Sequence, residues 1–142
     1  MNAYFGRRYM LSASHRLHSD AFTPDQNRAV YGKCSNPHGH GHNYALEVLV
    51  RGAVDRDTGM VINLVDLDTV VRKQVLARFD HANLNLDPLF TSQVPTTENL
   101  CKAVFGLLKD AVPVGAALEY VRVEETENNF FQYFGDGSAE AA

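Results

Sequence analysis

The stretch CSNPHGHGHNY, residues 34–44, sets one thiol and three imidazoles within eleven residues. His38, His40 and His42 are separated by single glycines. Along an extended chain a spacing of two puts side chains on one face, so His40 and His42 can share a metal ion. Gly41 between them leaves room for close approach to the ion. Neutral imidazoles at this density suit zinc, which takes nitrogen and sulfur ligands in a tetrahedron. His15, closing SASH, can complete a three-histidine set. Three protein ligands leave zinc an open position, as a catalytic site requires. The competing reading is a histidine-rich turn or surface strand. His18 reads as a solvated loop residue.

Cys34 has two chemistries open to it. As a fourth ligand it would close the metal site and make it structural. As a free thiol beside a cation it would serve as a base, because nearby positive charge lowers the thiol pKa and the thiolate is the reactive form. FDHANLNLD, residues 79–87, places Asp80 directly before His81 in a loop. A carboxylate can fix the tautomer of an imidazole, which can then exchange a proton with a thiol. An Asp-His pair in a loop also serves as a turn and capping device. Cys101 falls among apolar helix positions and reads as a small buried hydrophobe.

The elements that must position these groups are legible in outline. Residues 4–14 read as a strand. NYALEVLVRG, residues 43–52, alternates with Tyr44, Leu46, Val48 and Val50 on one side. DRDTG at 55–59 reads as a hairpin turn, with MVIN continuing as a strand. From Leu64 the period changes: Leu64, Leu67, Val71 and Val75 recur at helical spacing to about Arg78. A second helix follows PTTEN, capped by Thr96 or Thr97, with Leu100, Val104, Leu107 and Leu108 facing inward. Strands at 117–125 and 129–134 are joined by the polar TENN.

The order ββααββ predicts an α+β domain: a four-stranded antiparallel sheet with two helices on one face. It spans residues 1–135, and 136–142 reads as a frayed tail. Val121 and Val123 stand opposite Leu118 and Tyr120, and Phe130 and Phe134 oppose Phe131 and Tyr133. A sheet apolar on both faces, with open edges, calls for oligomerisation.

Composition narrows the partners. A chain of 142 residues, 45% hydrophobic, fits one domain with a real core. A formal charge of −4 argues against nucleic acid or an anionic membrane as main partner. Charges interrupt every apolar stretch, so no segment can span a bilayer, and the first residues lack the apolar core of a signal peptide. Two cysteines are too few for a disulfide framework, and a reducing cytoplasm is the expected home.

Six segments in order resemble one family: SASHRL (12–17), YGKCSNPHGHGHNY (31–44), GMVINLVDL (59–67), FDHANLN (79–85), PTTENLC (95–101) and EETENN (124–129). From the first to the last, residues 12–129, they run through most of the chain. They resemble the 6-pyruvoyl-tetrahydropterin synthases and their relatives, the 6-carboxy-tetrahydropterin synthases of queuosine synthesis. The resemblance implies the tunnelling fold, in which subunits form trimeric barrels that pair into a hexamer. It implies zinc on His15, His40 and His42, and a proton-transfer triad of Cys34, Asp80 and His81. It implies that Glu125 holds the pterin by its guanidine-like edge, since a carboxylate accepts two parallel hydrogen bonds from a planar N–C–N unit. Thr96, Thr97 and Glu98 match the segment lining the same pocket, and Glu124 should point to the opposite face.

The implied reaction converts 7,8-dihydroneopterin triphosphate to 6-pyruvoyl-tetrahydropterin. The side-chain hydroxyls chelate zinc, Cys34 removes the acidified carbon-bound proton, and triphosphate leaves by elimination. The redox change is internal to the substrate, in keeping with the lack of a dinucleotide-binding glycine pattern. The family's Mg2+ requirement meets no recognisable ligand set, and Arg16, Arg28 and Lys33 are candidate triphosphate contacts.

HGHGH holds two overlapping frames. Counting to His40 and His42 leaves five residues after Cys34, the spacing of the pyruvoyl-forming enzymes. Counting to His38 and His40 leaves three, the spacing of the queuosine-pathway enzymes. Strand alternation starts immediately after His42, and Pro37 and Gly39 suit His38 to a turn, which favours the first frame. The alternative of another class is a pterin- or zinc-binding protein without turnover, which would not need Cys34, Asp80 and His81 together.

Overall fold

Two strands of fourteen residues each, β1 (Asn2–His15) and β2 (His40–Ala53), form the centre of the computed structural model, which describes residues 2–136. They pair antiparallel in continuous register, from Asn2 opposite Ala53 to His15 opposite His40. The two-residue β3 (Ala82–Asn83) runs parallel to the end of β1. Next to β2 lies β4 (Ala116–Glu124), followed by β5 (Phe130–Tyr133), both antiparallel, so the sheet order is β3-β1-β2-β4-β5. Period-two alternation buries Tyr9, Leu11 and Ala13 of β1 beside Tyr44, Leu46, Val48 and Val50 of β2.

Among the described residues, three helices of eight or more residues accompany the sheet. The first, α1 (Pro24–Tyr31), starts with proline after a reciprocal cap in which Thr23 and Gln26 satisfy each other's backbone N–H. Next, α2 begins as Leu64–Val71 under an Asn63 cap, passes through a π-helical turn at Arg72–Leu76 and ends at Ala77–Phe79. It buries Leu67, Val71, Val75 and Phe79. Last, α3 (Thr97–Leu108) is capped by the Thr96 hydroxyl and buries Leu100, Cys101, Val104, Phe105 and Leu108, while Leu107 is half-buried. These side chains and the alternating strand residues make one core.

The α+β class, the long strands and the two apolar helices match expectation. Other details differ. The described residues form five strands, not four, because the chain after α2 adds β3, and α1 is an extra helix. Residues 60–63 form no strand: Asp55 closes the turn by accepting from the Asp57 and Thr58 N–H groups, and Asn63 already caps α2. Leu118 does not oppose Val121. The β2–β4 register shifts between Leu49 and Val50, skipping Glu119, so Leu118, Val121 and Val123 are all buried.

The second face is also more polar than expected. Arg8 and Arg122 both reach Glu47, Arg122 pairs with Glu124, Arg51 with Glu119, and Tyr120 donates to Glu47. Beyond β2, β1 has only β3 beside it, and that pairs with Ala13 and Ser14 alone. Ser12 is also engaged, by Asp80 and His81, so among the described residues the outer edge is open from residue 2 to 11. The tail expected at 136–142 lies outside the described residues except for Asp136.

Candidate active site

Strand register assembles the histidines. His15 stands directly opposite His40, and His42 lies two residues farther along the same face of β2. The Nε2 atoms of His15 and His40 are 3.2 Å apart, and those of His40 and His42 are 3.0 Å apart. All three ligand nitrogens lie within 4.8 Å of one another, so the trio could hold a metal ion. His15 is buried, and its Nδ1 donates to the Pro95 carbonyl at 2.8 Å, which leaves the Nε2 lone pair facing the other rings. Burial pushes the pKa of His15 and His42 below the ordinary histidine value, which favours the neutral, ligating form. Three imidazoles converging on one point suit a zinc-like cation.

His38 takes no part. It is exposed in the turn before β2, where its N–H donates to Asn36 Oδ1. Gly39 completes that turn at φ 70°, and a Cβ there would lie 2.7 Å from the His15 carbonyl oxygen. His18, expected as a solvated loop residue, is half-buried and 3.3 Å from Asp20.

Cys34 is a free, half-buried thiol in the short helical turn Gly32–Ser35 after α1. Its carbonyl accepts from Leu17 N–H at 2.8 Å, tying this turn to the segment that follows His15. Burial, and then the Glu125 charge, push the thiol pKa up, so without a neighbouring cation it stays protonated. It lines a cavity of about 610 Å³ with His40, Arg16, Arg28 and Lys33.

Asp80 and His81 lie elsewhere. Asp80 Oδ1 accepts from Ser12 N–H at 2.8 Å, and His81 N–H donates to the Ser12 carbonyl at 2.5 Å. His81 sits at φ 58° with an exposed ring, 3.8 Å from Asp80 Oδ1. It lines a different cavity, with Ser12, Asn43 and His42. Among the described residues no hydrogen bond or ion pair joins Cys34 to Asp80 or His81. One chain does not bring the three together.

Glu125, at the turn after β4, reaches the histidines: its Oε1 is 3.4 Å from His42 Nε2 and 3.8 Å from His15 Nε2. Glu124 faces away and pairs with Arg122. Thr96 caps α3, Thr97 is buried with its hydroxyl next to the Tyr44 phenol, and Glu98 is exposed in the first helical turn. Sequence reasoning missed the Pro95 carbonyl, Tyr44 and Asn129, whose Nδ2 donates to Glu125 Oε2 at 2.8 Å. Only Asn129 left a signal, inside a polar TENN segment read as a connector.

Residues 5–136 match the model of a family described as 6-pyruvoyl tetrahydropterin synthase. The chain is 44% identical over 135 residues to a Homo sapiens protein named 6-pyruvoyl tetrahydrobiopterin synthase, covering 94% of this chain and 92% of that one. It is likewise 44% identical over 134 residues to the Poecilia reticulata protein of the same name, covering 94% and 90%. The structure of Caenorhabditis elegans 6-pyruvoyl tetrahydropterin synthase superposes with a TM-score of 0.90 at 39% identity, covering 96% of this chain and 97% of that one.

Proposed function

The chain belongs to the 6-pyruvoyl tetrahydropterin synthase family, and from that premise we propose that it converts 7,8-dihydroneopterin triphosphate to 6-pyruvoyl-tetrahydropterin with loss of triphosphate. The observation carrying this reading is the frame of the metal cluster. His40 and His42, not His38, converge with His15, which leaves the five-residue spacing after Cys34. That spacing favours the pyruvoyl product over the 6-carboxy one.

His15, His40 and His42 would hold zinc, which when bound supplies Lewis acidity to the substrate's side-chain hydroxyls. Cys34 takes the proton from the carbon so acidified, and its raised pKa means that it ionises only as the site gains positive charge. Asp80 steadies the His81 ring, which passes protons on. Because His81 and Cys34 line different cavities, His81 serves the thiol of a neighbouring subunit, within a hexamer of two trimers. The open outer edge of β1 supports such an assembly.

Glu125 contacts the substrate at the side-chain end. The pterin's guanidine-like edge lies across the fused ring from that side chain, too far for a carboxylate in contact with two cluster histidines. That edge falls instead to the segment of Thr96, Thr97 and Glu98. No described helix is long and apolar enough to cross a membrane, and both thiols are free, which supports work in the cytoplasm.

The test is incubation of zinc-loaded protein with dihydroneopterin triphosphate and identification of the products. Release of triphosphate with a 6-pyruvoyl product is expected. A 6-carboxy product with acetaldehyde would assign the chain to the queuosine-type reaction, and pterin binding without turnover would make it a binding protein.

A further inference from the structure

We propose that Asn129 is the positioning residue for Glu125, and that Thr126 sets the orientation of the Asn129 amide. The turn between β4 and β5 is already closed by its backbone, with Glu125 N–H donating to the Asn129 carbonyl at 3.2 Å. The side chains then add a second circuit that no turn requires. Thr126 Oγ1 accepts from Asn128 N–H at 3.2 Å and donates its own proton to Asn129 Oδ1. With Oδ1 so engaged, the amide nitrogen must face the other way, and it donates to Glu125 Oε2 at 2.8 Å. A flipped amide would set its oxygen against the carboxylate, two acceptors with no proton between them.

The consequence falls on Glu125. A glutamate has three side-chain torsions to lose on ordering, and this side chain is 18% exposed. Fixing Oε2 leaves Oε1 as the oxygen offered to the site, 3.4 Å from His42 Nε2 and 3.8 Å from His15 Nε2. The clamp thus converts a mobile carboxylate into one held at a fixed point beside the three histidines. The inference rests on the reading of Glu125 as a substrate contact.

The discriminating variants are Asn129→Asp and Asn129→Ala. Aspartate suits a turn as well as asparagine does, but it sets carboxylate against carboxylate. A positioning role predicts that Asn129→Asp keeps zinc and melting temperature while kcat falls by roughly 10- to 100-fold, the range for a misplaced contact, and falls more than in Asn129→Ala. A turn role predicts the reverse order, with Asp harmless and Ala lowering the melting temperature. In a Glu125→Gln background the Asp substitution should cost nothing further, because the introduced amide can donate to it. Wild-type turnover by Asn129→Asp, or an undiminished effect of that substitution in the Glu125→Gln background, would overturn the proposal.

A readout independent of turnover is the Asn129 side-chain NH2 resonance. It should be slow to exchange with solvent, and Glu125→Gln and Thr126→Val should each shift it. If dihydroneopterin triphosphate is not turned over but this resonance behaves as described, the catalytic reading fails and the clamp stands. If turnover is normal but the amide exchanges at the free rate, the clamp is wrong.

Discussion

His15 shows how its surroundings prepare a candidate metal ligand. The Pro95 carbonyl selects its tautomer, and burial holds its pKa, with that of His42, below the ordinary value of 6.5. The metal-free native state therefore binds fewer protons than the unfolded chain once the pH falls below that value. Stability is full above about 6.5, the unfolded histidine pKa, and is lost as the pH falls from there through the lowered folded values. The melting temperature of the metal-free protein should drop across that window, and His15→Leu should flatten the drop. A flat profile, or an unchanged slope in His15→Leu, would contradict this account. For the thiol, Cys34→Ala should keep zinc near one per subunit while turnover falls by roughly 10²- to 10⁴-fold, the span for a lost general base. His40→Ala or His42→Ala should lose zinc and activity together, and His38→Ala neither. Zinc lost from Cys34→Ala on elemental analysis would make the thiol a ligand.

Among the elements, the turn into β2 is the one on which the cluster depends. Gly39 holds φ 70° where an added Cβ would meet the His15 carbonyl oxygen at 2.7 Å. Gly39→Ala should cost about 1–3 kcal/mol of strain and weaken zinc binding by moving β1 from β2. Gly41→Ala, where the Cβ would come no closer than 3.4 Å to the Ala13 carbonyl, should keep zinc and stability. Equal melting temperatures and metal contents for the two would refute the distinction.

The same elements show what a sequence encodes openly. Alternation from Tyr44 to Val50 and the apolar spacing of Leu67, Val71 and Val75 gave β2 and α2, because those residues face one core. The only buried residue of α1 is Asn27, so its helix shows no apolar period and rests on local capping around Thr23 and Gln26. Two residues cannot announce β3, and the skip at Glu119 depends on a partner strand distant in sequence. The histidine trio was legible because it follows from spacing and register. The position of Glu125, and the separation of His81 from Cys34, were not, because they depend on how a loop packs on another element.

At the scale of the whole molecule, one chain has a metal-competent cluster, with Cys34 lining one cavity beside His40 and His81 lining another beside His42. It also has a long open strand edge and a charged outer sheet face rather than the apolar one expected. The proposed association through edges, with sites completed between neighbours, would account for these features together. Light scattering should find a hexamer, and a monomer at micromolar concentration would rule this assembly out. The most direct measurement is complementation between Cys34→Ala and His81→Ala, each nearly inactive alone. If thiol and imidazole come from different subunits, random co-assembly of equal amounts should restore about a quarter of the wild-type sites, those pairing an intact thiol with an intact neighbouring imidazole. If each chain carried its own complete site, every site would keep one lesion, and mixing would restore nothing.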